Sequence, residues 1–235
     1  MKGRLFLIPS PLGDNDPAEV IPAGVLSMLP SISTYVVEAV RTARRYLSAA
    51  GLKGHVQDLE FHELNEHTTP EEVEALMKLF DDGRDVGLIT EAGLPAVADP
   101  GAQLVRLCHR HGVEVVPMSG PSSLMLALMA SGLNGQSFAF LGYLPAKTEE
   151  RRQALRSIEK HSSTARQTKI FIETPYRNDS LLADILSVCR ADTEVCIAAN
   201  ITMPDAFIRT KTAGEWKKSV PTIGKRPCVF LILGH

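Results

Sequence analysis

The sequence predicts an α/β protein of two domains, each built on a mostly parallel or mixed sheet. Short apolar and β-branched runs alternate with segments whose apolar residues recur every three to four positions. The connections between them are short, which is typical of parallel strands covered by helices. A Ser-Gly-Pro-Ser-Ser run at 119–123 ends the first series of units. We therefore expect a first domain over residues 1–117 and a second over residues 118–235.

Eight strands and six helices follow from these patterns. The predicted strands are Leu5–Ile8, Thr34–Val37, Val86–Thr90, Val113–Pro117, Phe138–Tyr143, Lys169–Glu173, Val195–Asn200 and Val229–Leu233. The predicted helices are Arg41–Ala50, Pro70–Phe80, Ala98–His111, Pro121–Ser131, Glu149–Glu159 and Asn178–Cys189. The helix at 70–80 has the clearest start, because Thr69 can cap it and Pro70 suits its first position. An Asp-Asp-Gly run at 81–83 predicts its end.

Charge divides between the two halves at the same place. Residues 1–117 carry 10 Lys and Arg against 17 Asp and Glu, a net charge of −7, and residues 118–235 carry 15 against 10, a net charge of +5. Excess cations can mark a polyanionic partner, and they can equally be a solvated surface. Arg151, Arg152 and Arg156 are expected to form one exposed stripe at helical spacing.

Composition excludes several classes of protein. Apolar residues make up 44% of the 235 positions and charged residues 22%, which is typical of a globular chain. The apolar run Leu5–Ile8 is shorter than the core of a signal peptide, and no stretch approaches the roughly 20 residues of a membrane span. We expect a cytoplasmic protein without a membrane segment.

No metal site is expected. The four cysteines are at least seven positions apart, so no Cys-x-x-Cys pair exists, and they are interpreted as buried or free thiols. The segment His62-Glu63-Leu64-Asn65-Glu66-His67 places its second histidine at i+5, whereas a helical zinc motif needs i+4.

Three loops after predicted strands have unusual chemistry: Pro9–Asp14, Thr90–Gly101 and Ser119–Ser123. Glycine and proline hold an irregular backbone whose amides and carbonyls can face a ligand. Such loops at the carboxyl ends of parallel strands are the usual ligand sites of α/β proteins. The sequence has no GxGxxG, GxxxxGK[ST] or GxSxG motif, which disfavours a Rossmann dinucleotide site, a P-loop and an α/β-hydrolase.

The ordered motifs PSPLG, FHELNEH, LITEAGLPAVADPG, VVPMSGPSS, FLGYLP and FIETPYR resemble the tetrapyrrole methylase superfamily over nearly the whole chain. Within it the chain is most similar to the branch that methylates the ribose 2′-oxygen of small-subunit ribosomal RNA. The resemblance implies two α/β domains with S-adenosylmethionine in the cleft between them, and usually a homodimer.

Ten positions match cofactor-binding positions of this family. The resemblance implies contacts from Leu12, Gly93, Leu94, Val97, Ser122, Ser123, Glu173, Asn200, Pro227 and Cys228. It also implies a catalytic pair in Glu38 and Arg41, with Arg44 in the same segment. A hydroxyl acceptor must lose a proton, for which Glu38 is the candidate base or orienting group. The alternative is that Glu38 forms an ion pair with Arg41 one turn on.

Two departures from the pattern of the ribosomal branch leave the identity of the methyl acceptor undecided. The ribosomal branch typically has CEDTR where this chain has Val37-Glu38-Ala39-Val40-Arg41. The chain is also expected to lack the additional C-terminal segment of fuller members. We favour RNA or a ribosomal subunit as the substrate. A tetrapyrrole methylase and a catalytically degenerate cofactor-binding module remain alternatives, although tetrapyrrole methylases typically carry GGDP where this chain has Glu91-Ala92-Gly93-Leu94-Pro95.

Overall fold

The computed structural model describes residues 2–235, which form two compact units that meet in sequence at Ser122 and Ser123. Each unit contains one five-stranded sheet covered by helices. The α/β class with mostly parallel or mixed sheets is confirmed. The division falls inside the Ser-Gly-Pro-Ser-Ser run, whereas the sequence placed it after Pro117, the last residue of a strand.

The sheet of the first unit is entirely parallel. Its strands are β1 (Arg4–Leu7), β2 (Thr34–Val37), β3 (Glu60–Glu63), β4 (Val86–Ile89) and β5 (Glu114–Pro117), in the order β3-β2-β4-β1-β5. Its helices are α1 (Pro17–Val20), α2 (Ala23–Met28), α3 (Val40–Leu47), α4 (Pro70–Ala75) and α5 (Ala102–His111). Shorter helical turns cover Leu29–Ser31, Ser48–Leu52, Val56–Asp58 and Leu76–Phe80.

This sheet is buried on both faces. Successive residues of a strand point to opposite sides, so Leu5 and Val36 belong to one apolar cluster while Phe6 and Tyr35 belong to another. All four residues of β2 and of β4 are buried. Continuous apolar runs of this kind are typical of parallel strands with helices on both sides.

The sheet of the second unit is mixed. Its strands are β6 (Phe138–Tyr143), β7 (Thr168–Ile172), β8 (Glu194–Ala199), β9 (Phe207–Thr212) and β10 (Cys228–Leu233), in the order β6-β7-β10-β8-β9. Only β6 and β7 run parallel, and the other pairs are antiparallel. Its helices are α6 (Ser123–Ser131), α7 (Thr148–Ala165), α8 (Asn178–Val188) and α9 (Ala213–Lys218), with a helical turn at Pro175–Arg177.

The elements that the sequence did not predict are short or lie at sheet edges. Strand β3 is an edge strand with two glutamates and no fully buried residue. Strand β9 is also an edge strand, and its last four residues are polar. Helix α9 has only six residues and starts at a capping box, in which Glu215 N donates to the Thr212 hydroxyl at 3.2 Å. Helices α1 and α2 were also not predicted.

The expected arginine stripe on α7 is wrong. Arg151 is 2% exposed, and its guanidinium donates to the buried Asp184 carboxylate on α8 and to Ala146 O at 3.1 Å. Arg152 Nε donates to the other Asp184 oxygen at 2.7 Å. Arg156 alone of the three is exposed. Sequence spacing placed the three on one face, but the partner that buries Arg151 comes from another helix.

Candidate functional site

The three loops singled out by the sequence follow β1, β4 and β5, and β1 lies between the other two strands in the first sheet. Because these strands are parallel, their carboxyl ends share one edge. The loops after β1 and β4 are joined by a short antiparallel bridge. Ser10 N donates to Gly93 O at 2.9 Å, and Gly93 N donates to Ser10 O at 3.1 Å. The Ser10 hydroxyl also donates to Thr90 O at 3.0 Å, which fixes the end of β4.

All three loops meet around Gly93. This residue is buried, with a φ of +79°, and a Cβ there would lie 3.2 Å from Leu12 Cδ2 and 3.6 Å from Pro121 O. Gly120 packs on the first loop so closely that a Cβ would lie 2.2 Å from Pro9 Cβ. The structure therefore brings Leu12 and Gly93 together at one point of the sheet edge.

The loop from Gly93 to Gly101 has an irregular backbone. Ala96 and Ala98 have φ values of 64° and 62°, in the left-handed region that residues with a Cβ rarely adopt. Backbone of this kind costs about 1–3 kcal/mol at each such residue and is concentrated at functional sites. Leu94 is half-buried and Val97 is 45% exposed, so both predicted contacts lie on an accessible turn.

Glu38 follows β2 and holds the start of this loop. Its Oε2 accepts a hydrogen bond from Glu91 N at 3.1 Å, and its own amide donates to Ile89 O at 3.3 Å. Burial raises the pKa of the Glu38 carboxyl, which the Glu91 amide partly offsets. The alternative of an ion pair with Arg41 is wrong for this structure, because Glu38 is bonded to Glu91 and Arg41 is exposed.

A second carboxyl, Asp99, lies close to the first. Burial raises the pKa of Asp99 to about 6, and the charges of Glu38 and Glu91 add to the shift. The buried hydroxyl of Thr90 lies near Asp99 without reaching hydrogen-bonding geometry, and it has no other partner among the described residues. Sequence reasoning missed Asp99 as a candidate functional residue, since it was visible only as part of a turn. The signal that could have found it is an acid inside a loop already assigned to ligand binding.

In the second unit, Glu173 follows β7 and is buried. Its Oε1 accepts from Arg177 Nη2 at 2.6 Å and from Thr174 N at 2.7 Å. Its Oε2 is buried and has no hydrogen-bond partner among the described residues. A buried carboxylate oxygen without a donor is costly, so this atom is an acceptor available to a ligand.

Three further predicted residues lie at the same edge of the second sheet. Asn200 N donates to Pro227 O at 2.9 Å, and Asn200 Nδ2 donates to Asp205 at 2.8 Å. Cys228 is paired with Ala199 in the sheet, and burial raises the pKa of its thiol to about 12. Because Val229 pairs with Ile172, Glu173 lies beside Cys228.

Ser122 is the last residue of the first unit and Ser123 the first of α6. Within residues 2–235 no three His, Cys, Asp or Glu side chains are grouped to hold a metal ion. No helix in that range is long and apolar enough to cross a membrane.

Known proteins resemble this chain at both sequence and fold level. The family model of the tetrapyrrole (corrin/porphyrin) methylases matches residues 24–217. Proteins named ribosomal RNA small subunit methyltransferase I are similar over almost the whole chain. The one from Escherichia coli is 30% identical over 100% of this chain and 79% of its own length. The one from Vibrio cholerae is 33% identical over 98% and 77%. The one from Thermotoga maritima is 32% identical over 90% and 89%.

Solved structures share the fold at lower identity. The methyltransferase CobJ superposes with a TM-score of 0.64 at 17% identity, over 99% of this chain and 94% of its own. A uroporphyrin-III C-methyl transferase from Thermus thermophilus, solved with S-adenosylhomocysteine, superposes with a TM-score of 0.59 at 18% identity, over 98% and 97%. At these identities the likeness establishes the fold alone.

Proposed function

The chain belongs to the tetrapyrrole methylase family and is an S-adenosylmethionine-dependent methyltransferase, and on that premise we propose that it methylates a ribose 2′-hydroxyl of small-subunit ribosomal RNA. The assignment of the acceptor rests on the 30–33% identity, over 98–100% of the chain, to two proteins named for that RNA. The family and the cofactor were both expected from the sequence.

The residues on each unit fit the cofactor. At Gly93 a missing side chain and a positive φ let the loop pack against Leu12, and in the second unit Glu173 Oε2 has no hydrogen-bond partner among the described residues. Bound S-adenosylmethionine supplies an electrophilic methyl group. The residues proposed to hold it are Leu12, Gly93, Leu94, Val97 and Ser122 of the first unit, and Ser123, Glu173, Asn200, Pro227 and Cys228 of the second.

The acceptor hydroxyl must be aligned and must lose its proton. Alignment in a fixed geometry can lower the barrier by about 7–11 kcal/mol. For the proton, the structure supports a division of roles between two carboxyls. Glu38 uses one oxygen to hold the Glu91 amide, so it positions the loop. Asp99 has a pKa of about 6. Near neutral pH such a carboxyl is mostly ionised and is more basic than an ordinary carboxylate, so Asp99 is proposed as the proton acceptor.

A transfer assay with tritiated S-adenosylmethionine tests the acceptor. Small ribosomal subunits from a strain lacking the matching methylase, and uroporphyrinogen III as the tetrapyrrole, are offered separately. We expect label in the RNA, resistant to alkali at one position because a methylated 2′-oxygen cannot attack its phosphate. Label in the tetrapyrrole alone would replace the RNA assignment. Cofactor binding without transfer to either would favour the degenerate module.

We also propose that the protein is a homodimer in the cytoplasm. The second unit exposes apolar side chains that an interface would cover, among them Met129 at 76% and Tyr143 at 58%. Light scattering at micromolar concentration should give about twice the 25.6 kDa chain mass. A constant monomer mass across the concentration range would refute the dimer.

A further inference from the structure

A cavity of about 230 Å³ lies in the first unit, and its lining includes Thr90, which interacts with Asp99, and Glu91, whose amide donates to Glu38. Three segments line it: the loop after β1 up to the start of α1, helix α3 with the turn that follows it, and the end of β4. Side chains that give it polar character are Ser10, Asp14, Thr42, Arg45, Thr90 and Glu91. The tyrosine at its α3 wall is fixed, since Tyr46 donates its hydroxyl to Pro9 O at 2.8 Å.

This cavity is separate from the proposed cofactor residues, none of which lines it. Pro11 and Gly13 face the cavity, while Leu12 between them lies against Gly93. One loop therefore presents two sides, one to the cofactor residues and the other to the cavity. A transferase with two substrates needs such adjacent sites, because the donor and the acceptor must meet.

A buried hydroxyl in the cavity wall lies near Asp99 and has no partner at hydrogen-bonding geometry among the described residues. Thr90 is 4% exposed, and its hydroxyl forms no hydrogen bond within residues 2–235. Buried hydroxyls are normally bonded, so the Thr90 hydroxyl is a group to which a ligand in the cavity can bond. Thr90 also lies next to Asp99, which connects the cavity to the carboxyl proposed to accept the proton.

The charged side chains that line the cavity are of both signs, Arg45 with Asp14 and Glu91, and helix α3 adds further cations beside it. Residues 1–117 have a net charge of −7, yet α3 contains three arginines and no acid. Arg41 and Arg45 lie one turn apart, are exposed, and occupy one face of the helix. Arg45 lines the cavity, and within residues 2–235 its one ion pair is a 3.7 Å contact with the exposed Asp14. Guanidinium groups at this spacing suit successive phosphates of one strand.

We propose that this cavity receives one nucleotide of an RNA strand, displaced from its stack, with the flanking phosphates on Arg41 and Arg45. The inference rests on the proposed function and specifies its acceptor site. The volume lies below the range of about 300–1,000 Å³ usual for larger small-molecule ligands, so a single nucleotide fits better than a four-ring macrocycle. Enzymes that act on a nucleotide commonly extrude it into a pocket of this kind.

Filling the cavity tests the proposal. Ala49 lines it and is exposed, so Ala49→Trp can block it without disturbing the core. The matched control is Ala23→Trp, an exposed helical alanine of the same unit outside the cavity. We expect Ala49→Trp to lower kcat/KM on small ribosomal subunits by about 100-fold or more, since small misplacements of a reactant cost that much. Calorimetric affinity for S-adenosylmethionine should be unchanged in both variants.

A second measurement does not depend on ribosomal RNA. AMP, CMP, GMP and UMP are each titrated against the protein by saturation-transfer NMR. At least one should bind the wild type and Ala23→Trp, and binding should disappear in Ala49→Trp. Nucleotide binding at the cavity without methylation of any ribosomal RNA would sink the proposed function and leave the nucleotide site standing.

Three outcomes would overturn the cavity proposal. Full RNA methylation by Ala49→Trp would mean that the cavity is not used. Loss of S-adenosylmethionine affinity in that variant would make the cavity part of the cofactor site. Uroporphyrinogen III binding that is lost in Ala49→Trp, with no nucleotide bound to the wild type, would assign the cavity to a tetrapyrrole.

Discussion

The two units place their charged side chains in opposite ways. In the second unit, which is net basic, one cation is almost fully buried: Arg151 is 2% exposed and paired with Asp184. In the first unit, which is net acidic, Arg41 and Arg45 stand exposed beside a cavity. The net charge of a domain therefore does not say where a polyanion binds. The local pairing of each cation decides whether it is available to a ligand.

The carboxyls of the first unit should show the largest effect of a single change. Asp99→Asn keeps the shape of the side chain and removes its basicity, so we expect kcat on RNA to fall by about 10²–10⁴-fold. In the wild type, kcat/KM should fall as the pH drops through about 6, where Asp99 gains its proton. The variant should lose that dependence. A wild-type profile that is flat between pH 5 and 7 would exclude Asp99 as the base.

Ionisation of the same carboxyl, which should raise activity as the pH rises, should lower the stability of the fold. Its pKa in the folded protein, about 6, lies above the ordinary 3.8, so the folded state binds more protons between those two values. The contribution of Asp99 to stability is thus full below about pH 3.8 and is lost as the pH rises through 6. Urea titrations of the wild type and of Asp99→Asn across this range should diverge as the pH rises, with the variant retaining more stability.

The buried cation of the second unit should matter for stability and not for binding. Asp184→Ala leaves Arg151 buried without its carboxylate, and breaking a buried ion pair costs about 3–5 kcal/mol in the free energy of unfolding. Arg156→Ala removes an exposed cation of α7, the helix that carries Arg151. It should change the free energy of unfolding by less than about 0.5 kcal/mol. Urea denaturation followed by circular dichroism measures both. Equal effects would mean that the Arg151 pair is not formed in solution.

Close approach at Gly93 can be separated from backbone strain. Gly93→Val places a side chain against Leu12 at a φ of +79°, so S-adenosylmethionine affinity should fall by about 100-fold or more. Gly112→Val imposes a similar strain at a φ of +67° but has nothing within 4 Å of its Cβ. It should lose stability and keep cofactor affinity. Equal loss of affinity in the two variants would attribute the effect to strain in the fold.

The sequence predicted the elements and loops whose signals are local. Strands β2 and β6 have the bounds that their residues indicated, because apolar and β-branched runs specify them directly. The meeting of the loops at Leu12 and Gly93 agrees with the rule that parallel strands share a carboxyl edge. The ordered family motifs likewise sufficed for the cofactor and enzyme class.

What the sequence missed depends on partners far along the chain. The burial of Arg151 needs Asp184, which lies 33 residues away on another helix. The raised pKa of Asp99 arises from packing at the end of β4, which spacing does not encode. The polar edge strands β3 and β9 are stabilised by pairing with a neighbour rather than by their own composition.

The smallest predicted effect tests whether exposed cations of the acidic unit contact RNA. Each phosphate contact to a single strand contributes about 0.7 to the slope of log affinity against log salt. Replacing two contacts by Arg41→Gln with Arg45→Gln should therefore reduce that slope by about 1.4. Arg106→Gln with Arg110→Gln is the matched control, since these arginines have the same spacing on α5 and are also exposed. Filter binding of a ribosomal RNA fragment between about 50 and 200 mM salt gives both slopes.

If only the α5 pair changes the slope, RNA runs over the other face of the unit and the cavity beside α3 serves another ligand. If neither pair does, the phosphates are held elsewhere, and local pairing of cations has not identified the RNA-binding surface.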